Sequence, residues 1–160
     1  MKEIVFVCTG NMCRSPMAEG LLRAALPPEW EGEVIVSSAG THAWNGSPAA
    51  SLSVMVMGEK GFDISGHRAR LVTPDIINKA SLVVAMADEH MVNMNAVTPG
   101  AGEWMILLGG LDPERKDRDV ADPIGGSLED YRAARDDIAH LTGLLLAYIA
   151  DRFDLPFVGT

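Results

Sequence analysis

A chain of 160 residues and 17.1 kDa has room for one ordinary domain and not comfortably for two. With 48% hydrophobic and 22% charged residues, it has the balance of a soluble globular protein and not of a disordered one. The 22 acidic residues against 13 Lys plus Arg give a net charge of -9, which disfavours nucleic acid and anionic membrane as partners, so any bound anion must be held by a local trap.

Ile4 to Val7 is a short β-branched and aromatic run, suited to a strand buried on both faces. The residues before it lack the apolar core and cleavage site of a signal peptide, and the longest mostly apolar stretch, Leu141 to Ala150, is too short for a bilayer. Cys8 and Cys13 are the only cysteines, so no disulfide framework is expected, and the chain reads as cytoplasmic. Ser15-Pro16 signals a helix start, a capping residue followed by proline at the first helical position. Met17, Leu21, Leu22 and Ala25 then recur at helical spacing until Pro27-Pro28.

A second strand is predicted over Glu33–Val36, and a helix from about Ala49 to Lys60, closed by Gly61. Thr73-Pro74 opens a short helix, Ser81–Met86 reads as a third strand, and a polar helix lies near Asp88–Asn95. Trp104–Leu108 is a fourth strand. Gly109–Ser127 is one long irregular segment, of the kind that is usually functional or disordered. The last helix runs from about Leu128 to Phe153, with Tyr131, Ile138, Leu141, Leu145, Tyr148 and Ile149 on one stripe. Strands separated by helices predict an α/β fold in one domain over residues 1–160, a four-stranded parallel sheet with helices on both faces. Function belongs at the C-terminal ends of the strands, above all after the first.

There stands Val7-Cys8-Thr9-Gly10-Asn11-Met12-Cys13-Arg14-Ser15-Pro16. A strand delivers a cysteine into a tight loop, the loop winds into a helix start, and an arginine closes it. Backbone N–H groups of such a loop, from Thr9 through Ser15, converge on its centre, and the helix N-terminus adds positive partial charge. Arg14 adds two parallel charge-assisted hydrogen bonds to phosphate oxygens. The same field favours thiolate over thiol at Cys8, and Ser15 is placed to donate its hydroxyl to it. Gly10 and Asn11 both tolerate positive φ, which a loop folded around an anion demands. The spacing of Cys8 and Arg14 alone is weak; its placement between a buried strand and a proline-started helix gives it meaning.

VCTGNMCRSP resembles the phosphate loop of the low-molecular-weight protein tyrosine phosphatases. The resemblance continues through Ser38-Ala39-Gly40-Thr41, His67-Arg68-Ala69-Arg70, Val83–Met86 and Asp122-Pro123, nearly the whole chain in order. It implies a Rossmann-like sheet of the phosphotyrosine phosphatase I type and a two-step reaction through phosphocysteine, with neither metal nor cofactor. By position it makes Cys8 the nucleophile, Arg14 the transition-state clamp and Asp122 the acid. Asn11 and His67 match the pair that props the loop, with Ser15 beside the thiolate. It also implies a reversible Cys8–Cys13 disulfide that shields the nucleophile from irreversible oxidation. Phosphorylated proteins or peptides are the implied partners, and phosphate and similar oxyanions the products or inhibitors.

Expelling an alkoxide or phenoxide requires a proton donor that then returns as base to activate water. Cysteine must be ionised and the aspartic acid protonated at the same pH, which predicts a bell-shaped profile best at mildly acidic pH. Two Asp-Pro dipeptides, Asp112-Pro113 and Asp122-Pro123, are barely separable on chemistry. The resemblance selects Asp122 and leaves Asp112 as a solvated turn residue.

Specificity signals conflict. Tyrosine-directed members place aromatics after Asp-Pro, but here Ile124-Gly125-Gly126-Ser127 follows, which resembles the protein arginine phosphatases of the same family. Those carry threonine where Met12 stands, so Met12 points back to phosphotyrosine. Trp44 lies in the loop where the family places an aromatic and is read as the missing wall of the cleft. Phosphotyrosine is the expected substrate, phosphoarginine the alternative, and a phospho-ligand binding module the alternative of another class. Arsenate reduction is disfavoured because no cysteine follows Cys13. His42, His67, His90 and His140 show no metal-ligand spacing, and Tyr131 and Tyr148 are read as packing residues.

Overall fold

The computed structural model describes residues 1–159. The strands are β1 (Lys2–Cys8), β2 (Val34–Gly40), β3 (Leu82–Ala85) and β4 (Met105–Leu107). The α-helices are α1 (Arg14–Ala25), α2 (Ser51–Gly58), α3 (Pro74–Lys79), α4 (Asp88–Val97) and α5 (Leu128–Phe153). All strand pairs are parallel, in the order β2-β1-β3-β4.

Alternation along β1 builds a core on each side of the sheet. Ile4, Phe6 and Cys8 turn to Met17 and Leu22 of α1 and to Leu141, Leu145 and Ile149 of α5. Val5 and Val7 turn to Ile77 of α3 and Met94 of α4. Helices therefore cover both faces, and β1 is closed to water from Ile4 to Val7. The chain runs from β1 to β2 on one side, then crosses to β3 on the other. That reversal opens a crevice beyond the C-terminal ends of β1 and β3, and the loop leaving Cys8 fills it.

Several elements depart from expectation. β2 continues to Gly40, where the sequence predicts an end at Val36, because Ser37 through Gly40 stay in register with Val5 through Cys8. The small polar residues are tolerated because their hydroxyls are satisfied: Ser37 donates to Glu3 at 2.9 Å and Ser38 to Glu19 at 2.8 Å. Gly40 is required at the strand end, since a Cβ there would stand 2.5 Å from the Thr9 carbonyl oxygen. α1 begins at Arg14, with Cys13 at the capping position and no side-chain cap, so Ser15 is not the N-cap that the sequence predicts. Its hydroxyl is drawn instead into the loop. α2 is shorter at both ends than predicted. α5 matches its predicted span, and Ser127 with Asp130 closes a capping box at its start. No helix among the described residues is long and apolar enough to cross a membrane.

Candidate active site

The loop is braced from beneath by Asn11. Its φ of 55° lies in the left-handed region, and the residue is fully buried. Gly10, expected to share that conformation, does not adopt it. Asn11 alone makes the turn, and its side chain over-determines it. Nδ2 donates to Ser15 Oγ at 2.8 Å and to Ser38 Oγ at 2.9 Å, while Oδ1 accepts from the Arg70 amide at 3.0 Å. His67 Nε2 donates to the Asn11 carbonyl at 2.8 Å, so His67 acts on the loop backbone, where the sequence reading places it.

These bonds fix the direction of every proton. Ser38 gives its hydrogen to the Glu19 carboxylate and accepts from Asn11. The other Asn11 amide hydrogen goes to Ser15 Oγ, whose own proton is left to point at Cys8 Sγ, 2.9 Å away. Cys8 Sγ thus stands at the end of β1, facing a hydroxyl donor and the first turn of α1.

Arg14 is 3% exposed and spans the site. Nη1 donates to the Val120 carbonyl at 2.9 Å; Nη2 lies 3.4 Å from Thr9 Oγ1 and 3.4 Å from Asp122 Oδ2. The fold thus brings Asp122, across more than a hundred residues, to the guanidinium that closes the loop. Asp112 stands elsewhere. It is a partly exposed turn residue that accepts from the Glu114 amide and pairs with His140 of α5 at 3.1 Å. The His140 contact holds its carboxyl below the usual carboxylate range.

Sequence reasoning missed two participants. His90, in the first turn of α4, is 1% exposed. Its Nδ1 accepts from the Ala87 amide at 3.1 Å, so Nε2 carries the hydrogen and donates to Thr9 Oγ1 at 2.9 Å. Burial, then the Arg14 charge, push its pKa down to about 4. The available signal was its place at the start of the helix after β3, beside the crevice. Tyr131 is more than a packing residue, since its hydroxyl meets Cys13 Sγ at 3.4 Å. Burial pushes the Cys13 thiol up, and both cysteines are free thiols.

Around the loop mouth, Met12 is half-buried against the core below. Trp44 is 82% exposed and Ile124 64%. The segment leading to Trp44 is fastened to the loop by amides of Thr41 and His42 donating to the carbonyls of Cys8 and Thr9, each at 2.9 Å. Ile124 is tied by its amide to Asp122 Oδ1 at 3.1 Å. No three His, Cys, Asp or Glu side chains gather as metal ligands among the described residues.

A family profile described as low molecular weight phosphotyrosine protein phosphatase matches residues 3–153. The chain is similar to a probable low molecular weight protein-tyrosine-phosphatase, EpsP, of Ralstonia solanacearum: 41% identity over 123 residues, covering 77% of this chain and 79% of that one. It is also similar to a protein-arginine-phosphatase of Geobacillus stearothermophilus, 41% identical over 139 residues, covering 87% of this chain and 90% of the other. Among solved structures, the YwlE arginine phosphatase from Geobacillus stearothermophilus superposes with a TM-score of 0.86 at 36% identity, covering 99% of both chains.

Proposed function

The chain belongs to the low molecular weight phosphotyrosine protein phosphatase family, and from that premise we propose that it hydrolyses phosphotyrosine in proteins through a phosphocysteine on Cys8. The observation that carries the reading is the convergence on one loop of Cys8 Sγ, 2.9 Å from Ser15 Oγ, and of Arg14, 3.4 Å from Asp122.

A phosphate dianion enters the loop with its non-bridging oxygens on the backbone N–H groups from Thr9 to Ser15 and on the Arg14 fork. The Cys8 thiolate attacks phosphorus in line with the ester oxygen. Asp122 gives its proton to that oxygen as the P–O bond breaks, so a neutral phenol leaves. The charge spread over the equatorial oxygens falls on the loop N–H groups and the Arg14 fork, the kind of donors that stabilise a phosphoryl transition state. Asp122, now a carboxylate, takes a proton from the water that attacks phosphocysteine. The S–P bond breaks, Cys8 returns as thiolate, and phosphate departs.

Met12, packed on the core, and Trp44, exposed beside the loop, favour an aryl substrate. The second reading, phosphoarginine, draws on Ile124-Gly125-Gly126-Ser127 and on the likeness to the Geobacillus enzyme. Rates on matched phosphotyrosine and phosphoarginine peptides decide between them, with Cys8→Ser as the blank. A higher kcat/KM on phosphotyrosine, lowered about threefold or more by Trp44→Ala, is expected. A preference for phosphoarginine reassigns the substrate. Turnover of neither, with phosphate still bound, leaves a binding module.

A further inference from the structure

Asp122 lies in a segment with neither strand nor α-helix, between the short 3-10 turn at Leu108–Leu111 and α5. No backbone ladder fixes its reach toward the loop. The nearest fixed point is Val120, 1% exposed, whose amide donates to the Met86 carbonyl at 2.8 Å and whose carbonyl accepts from Arg14. What holds the chain on its way to Val120 is the side chain of Arg115. Its Nε donates to the Asp117 carbonyl, and its Nη2 to the Asp119 carbonyl at 3.1 Å. Both Nη atoms also fork onto the Asp137 carboxylate of α5, Nη2 at 2.7 Å from Oδ2. The guanidinium thus occupies the inside of the bend and replaces the missing ladder with bonds to the segment's own carbonyls. Closure is tight, since a Cβ on Gly109 would lie 2.1 Å from the Arg118 carbonyl oxygen. Asp137 and Asp122 line one cavity of about 350 Å³, so the far end of the clamp faces the same space as the acid.

We propose that Arg115, seated on Asp137, is the positioning pair that holds Asp122 at the distance from which it protonates the leaving group. The pair touches neither substrate nor Cys8. It acts first on the acid, because the Cys8–Ser15 loop is braced separately by Asn11 through Ser15 and Ser38, while Arg14 meets the clamped segment at Val120 and Asp122. The proposal rests on Asp122 being the acid.

The test is kcat/KM on aryl phosphates whose leaving groups run from p-nitrophenol to phenol, together with the inhibition constant of inorganic phosphate. A basic leaving group needs the proton and an acidic one hardly does. Arg115→Met is expected to lose about 10- to 100-fold on phenyl phosphate, and less than about threefold on p-nitrophenyl phosphate. Phosphate inhibition should stay within about twofold of the parent. Asp137→Asn should move the same way by less. Arg115→Lys, which keeps the charge but not the fork, should resemble Arg115→Met. Asp122→Asn is the reference. If it shows no leaving-group dependence, the acid assignment fails. If it does and neither Arg115→Met nor Asp137→Asn follows it, the clamp is wrong. An equal loss across all leaving groups, or weakened phosphate inhibition, would also overturn it. Should Arg115→Met fail to fold, the milder Asp137→Asn carries the same comparison.

Discussion

From Cys8 to Ser15 the backbone folds around one buried amide, Asn11, whose side chain bonds Ser15 four residues away and Ser38 and Arg70 on neighbouring segments. From Asp112 to Ser127 the backbone has no fully buried centre; it bends around the partly exposed guanidinium of Arg115. It is tied outward to α5 through Arg115 and Asp112, to α4 through Asp119, and to the sheet through Val120. In the first region the side chains of Asn11, Ser15 and Ser38 are buried and paired with one another, which holds the loop geometry firm. The second hangs on partly exposed ion pairs, which stabilise less and yield more readily. Such a division suits a group that protonates a departing oxygen and then turns to a water molecule. Only Arg14 belongs to both regions, since it bonds Thr9 on one side and Val120 and Asp122 on the other.

Cutting that shared point gives the largest effect. Arg14→Lys keeps the charge but loses the fork, and kcat/KM on p-nitrophenyl phosphate is expected to fall about 10²- to 10³-fold. A loss under tenfold would mean that the two regions do not meet at this residue.

Next comes stability. Asn11→Ala removes the buried brace and leaves Ser38, Ser15 and the Arg70 amide without their partner. Unfolding in urea should show a loss of roughly 2–4 kcal/mol. A change in the Asp112–Ser127 region such as Asp112→Asn should lose well under half of that. Equal losses would erase the contrast drawn between the regions.

The smallest effect appears only with pH. His90 faces Arg14, Asp119, Asp122 and His42, with Glu89 beside it, and stays neutral in the fold down to about 4. In the unfolded chain a histidine protonates near 6.5, so between these values the unfolded state binds more protons. The stability tied to this residue is therefore complete above about pH 6.5 and is lost as pH falls toward about 4, by at most about 3 kcal/mol. His90→Asn keeps a donor for Thr9 and does not titrate. Thermal unfolding of this variant should show a shallower acid slope than the parent between those limits, and an unchanged slope would remove His90 from the account.

Much of this architecture was legible without coordinates. The order of strands and helices follows from apolar period and from the punctuation of proline and glycine, which act over a few residues. The loop between β1 and α1 was legible for the same reason, as a strand end, a cysteine, an arginine and a proline near the helix start stand within one short stretch. Local signals also misled. Ser15 has the sequence of a cap, yet its hydroxyl serves Cys8. Ser37 and Ser38 look like a strand end, yet their hydroxyls find carboxylates and the ladder continues.

By itself, the sequence determined the class of fold and the placing of Cys8 and Arg14 at the two ends of one loop between β1 and α1, because those depend on contacts between near neighbours along the chain. Only the tertiary structure decided which Asp-Pro aspartate meets Arg14, that His90 holds Thr9, and that Tyr131 reaches Cys13. Those pairs lie 81 to 118 residues apart, where composition and period carry no information about distance. Each exists because the crossover from β2 to β3 and the return of α5 bring separate parts of the chain to the same end of the sheet.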